Sequence, residues 1–374
     1  MTDGRSQRKT EATKLRTARA LFDGGRLSLA RLSRGLTKKQ LAEKVGVTPA
    51  AIGQYERGLS QPSAPVIAKL HWALRFPPEF FEGGRRRFEV RHDEAHFRRL
   101  RSTSKLERSQ VLARAELLAE LVAELEKYLK IPEAAIPDIP VPGESRAETE
   151  AAAAEVRKRW GMGIGPIPKM VRLLESRGCV VTWLTHDSAN VDAFSTWMDK
   201  RPLIILSDDK NDVARSRLDA AHELGHLVMH HDAEPDSRAV EQQAFAFAVA
   251  FLMPRESALR ELPHGLDWRR YADLKRRWGM SMKALVRYSR DLGFLSEASY
   301  KRAMVQYSKN GWQSGEPGEL EDTEQPVLVS NSLEVLRTRR GLSVEDLARD
   351  LHIEPEDLEE LASAPLEMKL AVPL

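Results

Sequence analysis

The chain has 374 residues, of which 42% are hydrophobic and 30% charged, with a net charge of +3. That length suffices for two or three domains, each burying its own core. A single cysteine, Cys179, excludes an internal disulfide framework; it precedes Val180-Val181 in a predicted strand and reads as inert core. There is no signal-peptide pattern, and the longest apolar run, Ala244 to Met253, is about half a membrane span. We therefore expect a cytoplasmic protein with no membrane partner.

The small net charge hides an asymmetry. Residues 1–105 hold 23 Lys+Arg against 10 Asp+Glu, a net of +13, and residues 106–374 hold 35 against 45, a net of −10. A basic N-terminal third predicts a polyanion as partner. Residues 1–24 read as a flexible basic terminus. A helix then covers Leu27 to Ser33 and closes at Gly35. Thr37 caps a second helix through Val45, Gly46 makes the turn, and Thr48 caps a third that begins at Pro49 and runs to Tyr55. Ser63 caps a fourth, to about Phe76. Two helices around a short glycine-containing turn make a helix-turn-helix.

With Leu36-Thr37, Gln40-Leu41-Ala42, Gly46-Val47, Ile52 and Tyr55-Glu56-Arg57-Gly58, residues 25–82 resemble the Xre/Cro/cI repressor family. The resemblance implies double-stranded DNA as partner, bound by a homodimer, with the third helix in the major groove. Thr48, Pro49, Ala50, Ala51 and Gln54 would then face base edges, where only Thr48 and Gln54 can hydrogen-bond and the two alanines can meet thymine methyls. Lys38, Lys39, Gln40 and Arg57 would meet phosphates. Arg31 and Glu56 match the family's structural ion pair.

Residues 83–146 form a connector. Arg85-Arg86-Arg87 and Arg98-Arg99-Leu100-Arg101 are basic clusters that fit either DNA backbone or a solvated surface. A long helix over 105–130 carries Leu118, Leu121, Leu125 and Leu129 on one stripe, for a core or a dimer. Ile131 to Gly143 holds four prolines and reads as an extended, exposed linker.

The domain at 147–308 reads as α+β, with predicted strands Val180–Leu184, Ala193–Trp197 and Leu203–Leu206. Its most informative stretch is His222-Glu223-Leu224-Gly225-His226, an H-E-x-x-H motif in a predicted helix from Ser216 to His230. Residues four apart share a helix face, so both imidazoles can reach one metal ion. Leu218, Ala221, Leu224, Leu227 and Val228 make the helix apolar and therefore buried, and buried His and Glu need partners. Zinc lowers the pKa of water that it binds to about 7, and Glu223 is placed to act as the base. A catalytic zinc needs a third protein ligand. Glu241 heads the next apolar helix, as a ligand, as a first-turn acid favoured by the helix dipole, or as both. His230, His231 and Asp232 could compete, with His230 read as structural.

Ala221-His222-Glu223-Leu224-Gly225-His226-Leu227, the Glu-x-x-Ala helix ending in Leu252-Met253-Pro254, Arg215 to Leu218, Asp192 to Ser195 and Leu203 to Leu206 resemble the ImmA/IrrE family of zinc peptidases over roughly residues 150–295. The resemblance implies a zincin-like fold, Zn²⁺ held by His222, His226 and Glu241, and Glu223 as the catalytic base. One position departs: that family usually has Asn after the Ala of the second motif, and this chain has Phe245, which removes an amide that could steady a ligand.

Residues 309–326 are rich in Gly, Ser, Glu and Pro and read as a flexible linker. Residues 327–374 echo the first helix-turn-helix. Gly341 to Ala348 copies Gly35 to Ala42, and Ile353-Glu354-Pro355 copies Val47-Thr48-Pro49, at a constant offset of 306. Glu356, Asp357, Glu359 and Glu360 in the copied third helix would repel phosphate. The tail fits an interaction module on a helix-turn-helix fold or an acidic helical hairpin. The fold class expected is thus multidomain and mainly α: an all-α helix-turn-helix domain, an α+β zincin-like domain with a small sheet, and an acidic helical C-terminal module. The function expected is a DNA-binding transcriptional regulator whose zinc metallopeptidase domain cleaves itself or a partner repressor under stress or phage attack. A second reading is a non-enzymatic regulator with a structural or sensory metal.

Overall fold

The computed structural model describes residues 13–88, 104–141, 143, 145–184, 193–207, 212–230, 237–320 and 324–362. They form two compact units. One takes in the described residues of 1–90, 100–131 and 327–374, and the other those of 132–326. No described helix is long and apolar enough to cross a membrane.

In the first unit, α1 (Gly24–Ser33) follows Asp23, whose carboxylate accepts from the Gly25 N–H at 2.7 Å. α2 (Lys38–Val45) opens on a capping box between Thr37 and Gln40. It ends at Gly46, whose φ of +71° suits glycine. α3 (Pro49–Glu56) has Thr48 accepting from the Ala51 N–H and proline at its first position. α4 (Ala64–Leu74) completes the set. Leu27, Leu41, Val45, Ile52, Ile67 and Leu70 form the core between them, and the Arg31–Glu56 ion pair ties α1 to α3.

α5 (Lys105–Glu126) is buried on most of its faces. Its leucine stripe, Leu118, Leu121 and Leu125, is core within the unit. So is a second stripe, Glu116, Glu120 and Glu124, one turn apart, which the sequence reading missed. Buried carboxylates persist only when paired, and these meet Arg87, Arg26 and Lys127 respectively.

The second unit begins with a strap, Pro132 to Gly143. Its described residues form no helix or strand, and it is docked rather than a free linker. Ala135 N–H donates to the Arg177 carbonyl (2.9 Å) and Ile139 N–H to the Val228 carbonyl (2.8 Å). Ile136, Ile139 and Val141 pack on the core. The alternation of apolar residues with proline lets one side bury while the backbone satisfies carbonyls at helix ends.

α6 (Arg146–Arg159) and α7 (Met170–Ser176) follow. β1 (Val180–Leu184), β2 (Phe194–Met198) and β3 (Arg201–Ser207) then form a sheet in the order β1-β3-β2, with β3 parallel to β1 and antiparallel to β2. Cys179, just before β1, is fully buried and unpaired. α8 (Val213–Met229) packs on β2 and β3 and against α9 (Arg238–Leu252). The two helices approach closely because small residues meet. A Cβ on Gly225 would lie 3.1 Å from the Phe247 ring and 3.3 Å from Ala244. α10 (Arg255–Glu261), α11 (Trp268–Trp278), α12 (Met282–Asp291) and α13 (Glu297–Lys309) close the domain.

The stretch expected as a linker at 309–326 is instead pinned to this unit by two buried carboxylates. Glu316 accepts from the Met282 and Lys283 N–H groups at the start of α12 and pairs with Lys275 at 3.2 Å. Glu324 accepts from the Met170 and Val171 N–H groups at the start of α7 and pairs with Arg217 of α8. Helix N-termini and buried cations both favour a carboxylate, and neither partner is visible in the local composition that suggested a linker.

The chain then rejoins the first unit as α14 (Leu328–Arg340), α15 (Val344–Leu351) and α16 (Pro355–Ala362). The internal repeat extends to geometry. Ser343 and Asp346 make the capping box that Thr37 and Gln40 make in α2. His352 takes the left-handed turn conformation of Gly46, and Ile353 N–H bonds Ala348 as Val47 N–H bonds Ala42. This is a helix-turn-helix-like trio rather than a hairpin. Its acids find cations within the unit: Asp357 takes both terminal nitrogens of Arg34 at 2.6 Å, and Glu360 pairs with Arg114.

Candidate metal centre and DNA-reading face

His222 and His226 lie one turn apart on the α8 face turned to α9, with their Nε2 atoms 3.1 Å from each other. Glu241, in the first turn of α9, places one carboxylate oxygen 3.3 Å from His222 Nε2 and the other 3.6 Å from His226 Nε2. A tetrahedron with zinc–ligand bonds of about 2.0–2.1 Å has edges of about 3.3–3.4 Å. The donor set therefore fits such an ion in kind and in spacing. Among the described residues this is the group that converges so closely. His231 and Asp232 lie outside the described residues.

The surroundings orient these groups. The Gln243 amide nitrogen donates to the carbonyls of Val141 (3.2 Å) and Gly143 (2.5 Å) on the strap. Its oxygen is thereby turned to His230 Nε2, at 3.0 Å. An N–H at that nitrogen leaves His230 Nδ1 as an acceptor, and His226 Nδ1 lies 3.0 Å from it. His226 then carries its proton on Nδ1 and keeps the Nε2 lone pair for an ion. His230 is thus the structural group expected, one bond behind a candidate ligand. Nothing local in the sequence marks Gln243 for this task.

Glu223 is buried, and Ser195 of β2 donates to its Oε2 at 2.7 Å. Burial pushes the Glu223 carboxyl up to about 8, with Glu241 and Asp219 adding repulsion against the opposing pull of His222 and Ser195. Burial works against the His222 imidazolium. Its contact with Glu241 and the charges of Glu223, Glu241 and Asp219 outweigh that and raise its pKa. Ser195 falls within the predicted strand Ala193–Trp197, but its contact with Glu223 joins residues 28 apart, which no local pattern marks.

On the first unit Lys38, Lys39, Gln40, Thr48, Pro49, Ala50, Gln54 and Arg57 are exposed, and Ala51 is half-buried. Part of their hydrogen-bonding capacity is used locally. Gln40 Oε1 accepts from Thr37 N–H, the Thr48 hydroxyl accepts from Ala51 N–H, and Arg57 Nε donates to Gly53. Lys38 Nζ lies 3.1 Å from Glu56, which also holds Arg31. Gln54 and Lys39 project from the face with no such tie. Arg98 to Arg101 lie outside the described residues.

Residues 27–81 match the helix-turn-helix family and residues 174–288 match the IrrE N-terminal-like domain of peptidases. The chain joins an Xre-like helix-turn-helix domain to an IrrE/ImmA-like peptidase domain. No curated protein matches it closely enough to count as a relative. Among solved structures, Bacillus thuringiensis PlcR in complex with the peptide PapR7 and DNA matches with 11% identity over 90% of each chain and a TM-score of 0.15.

In the peptidase-like domain the three candidate ligands and Glu223 line a cleft of about 500 Å³. Phe245, one turn beyond Glu241, forms part of its wall with Lys283 and Arg287 of α12.

Two outcomes follow. Gln243→Leu releases both His230 and the strap, and should lower zinc affinity by about 10–100-fold, measured by chelator competition. The second concerns pH. Glu223 keeps its proton to higher pH when folded, so the stability linked to it is complete below about 4.5 and lost as pH rises through about 8. Metal-free protein should show a falling melting temperature across that window, and Glu223→Gln should flatten the fall.

Proposed function

We propose that this chain is a DNA-binding transcriptional regulator whose second domain is a zinc-dependent endopeptidase. Its substrate is a partner repressor or the chain itself, and its setting is a cytoplasmic stress or phage response. The observation that carries the reading is the convergence of His222, His226 and Glu241 at tetrahedral spacing beside a buried, Ser195-held carboxylate. A structural zinc is closed by four protein ligands, whereas a catalytic one keeps an open position. Three donors facing a cleft favour the catalytic form over a purely structural or sensory metal.

His222, His226 and Glu241 would hold the ion, which when bound supplies Lewis acidity toward the peptide carbonyl and toward water. Glu223 takes a proton from the attacking water and returns it to the leaving amine. Water is thereby added across the amide, giving a carboxylic acid and an amine. Ser195 keeps the Glu223 carboxyl aimed, and its buried setting keeps the pKa in the range useful to a base near neutral pH. The strap at 131–143 is a poor candidate for self-cleavage, because its backbone is already bonded to the domain. On DNA, a homodimer would read two half-sites about one helical turn apart, with α3 in the major groove.

Glu223→Gln keeps size and the Ser195 contact but removes the base. Zinc-loaded full-length protein, alone and with helix-turn-helix repressors from the same cell, should yield fragments that this variant does not, at equal zinc content. Identical gel patterns would overturn the peptidase reading. In mobility-shift assays Gln54→Ala should relax sequence preference by about 1–3 kcal/mol, whereas Lys38→Ala should weaken binding to all duplexes alike. No shift of any duplex at low salt would overturn the DNA-binding reading.

A further inference from the structure

The cleft has two unlike walls. On one stand three acids: Glu223, held by Ser195, Glu241, beside His222 and His226, and Asp219, whose charge acts on His222 and Glu223. At its edge Glu316 is met by Lys275, Tyr307 and two N–H groups of α12. On the other wall stand Lys283 and Arg287, four residues apart on α12. Arg287 stacks its guanidinium on the Phe245 ring, 3.7 Å from the centroid. It makes no ion pair or hydrogen bond among the described residues. The nearest acid on its own helix, Asp291, is bound by Arg146 and Arg290. Burial, with the like charges of Arg290 and Arg146, lowers the Arg287 pKa against the pull of Asp291. A half-buried guanidinium, flat on an aromatic ring and open to a cleft, is oriented to receive a planar anion through its fork.

Resting on the peptidase reading above, we infer that Arg287, held by Phe245, is a specificity determinant that binds a carboxylate of the substrate polypeptide next to the scissile bond. Phe245 follows the candidate ligand Glu241 by one helical turn, about 5–6 Å between Cβ atoms. An extended chain covers that distance in about two residues at about 3.3 Å each. The carboxylate read by Arg287 therefore belongs to a residue within about two positions of the bond that Glu223 serves. The carboxylate can come from an Asp or Glu side chain inside a chain, or from a free C-terminus. A polypeptide with a neutral or basic residue there loses the contact and leaves the guanidinium partly desolvated, so the preference runs against basic residues as well as for acidic ones.

The test uses full-length, zinc-loaded Glu223→Gln protein, which holds the probes without turning them over. Three peptide hydroxamates of one sequence are compared by fluorescence anisotropy: one with Glu and an amidated end, one with Gln and an amidated end, and one with Gln and a free terminal carboxylate. The hydroxamate reports the metal centre in every case, and only the carboxylate reports Arg287. A carboxylate probe should bind about tenfold tighter than the neutral one, the factor that 1.4 kcal/mol of differential contact gives. Which of the two binds tighter tells the side chain from the terminus. Adding Arg287→Gln should abolish the preference while leaving the zinc content and the melting temperature in place. Arg287→Lys should restore part of it, and Phe245→Leu should reduce it. Equal binding of all three probes to the parent overturns the inference and leaves the metal centre standing. Failure of every probe to bind overturns the metal reading and the inference with it.

Discussion

The second unit depends on one constraint: α8 is buried and yet polar. Its apolar residues bury it against β2, β3 and α9, and its Arg217, Glu223 and His226 go inside with them. A buried polar group without a partner costs about 1–3 kcal/mol, and a charged one more. Each of the three is met by a segment from elsewhere. The 309–326 stretch supplies Glu324, the sheet supplies Ser195, and His230 with Gln243 answers for His226. The small-residue contact at Gly225 and Ala244 brings Glu241 to the two imidazoles. Much of the way the chain wraps this helix can be read as the satisfaction of its polar side chains.

The charge asymmetry along the sequence takes on a different meaning in the same light. The first unit's Arg26, Arg31, Arg34, Arg87 and Arg114 are held by acids of that unit. Arg31 ties α1 to α3, and the other four make their pairs with α5 or the tail trio. The positive charge open to a polyanion is therefore smaller than the count over residues 1–105 suggests. Among the described residues of the helix-turn-helix it includes the exposed Lys38, Lys39 and Lys44 of α2 and Arg57 just past α3.

What could be read in advance was local or periodic. Thr37, Gly46, Thr48 and Pro49 set the helix-turn-helix boundaries through caps and a left-handed turn within a few residues of each other. The His222–His226 spacing and the acid heading an apolar helix brought three residues together on the same grounds. The offset of 306 made the second trio visible. What escaped were partners far apart in the chain: Ser195 for Glu223, Gln243 for His230, Glu324 for Arg217, and the acidic stripe of α5 with its arginines. The segments 131–143 and 309–326 were misread for the same reason. Proline, glycine and glutamate describe an unattached chain well until a carbonyl or a helix start elsewhere claims them.

Two stretches far apart in the chain lie in the same unit. Its helix-turn-helix and the tail trio share α5 as common core, with Arg34–Asp357 and Arg114–Glu360 across it, while residues 132–326 form a loop between them in the topological sense. A single peptide-bond break inside that loop would leave two fragments still held by the core they share. Nicking and dissociation are then separate events. The first could be silent at the operator, and the second would wait on the strength of a salt-sensitive, charge-clamped core rather than on hydrolysis.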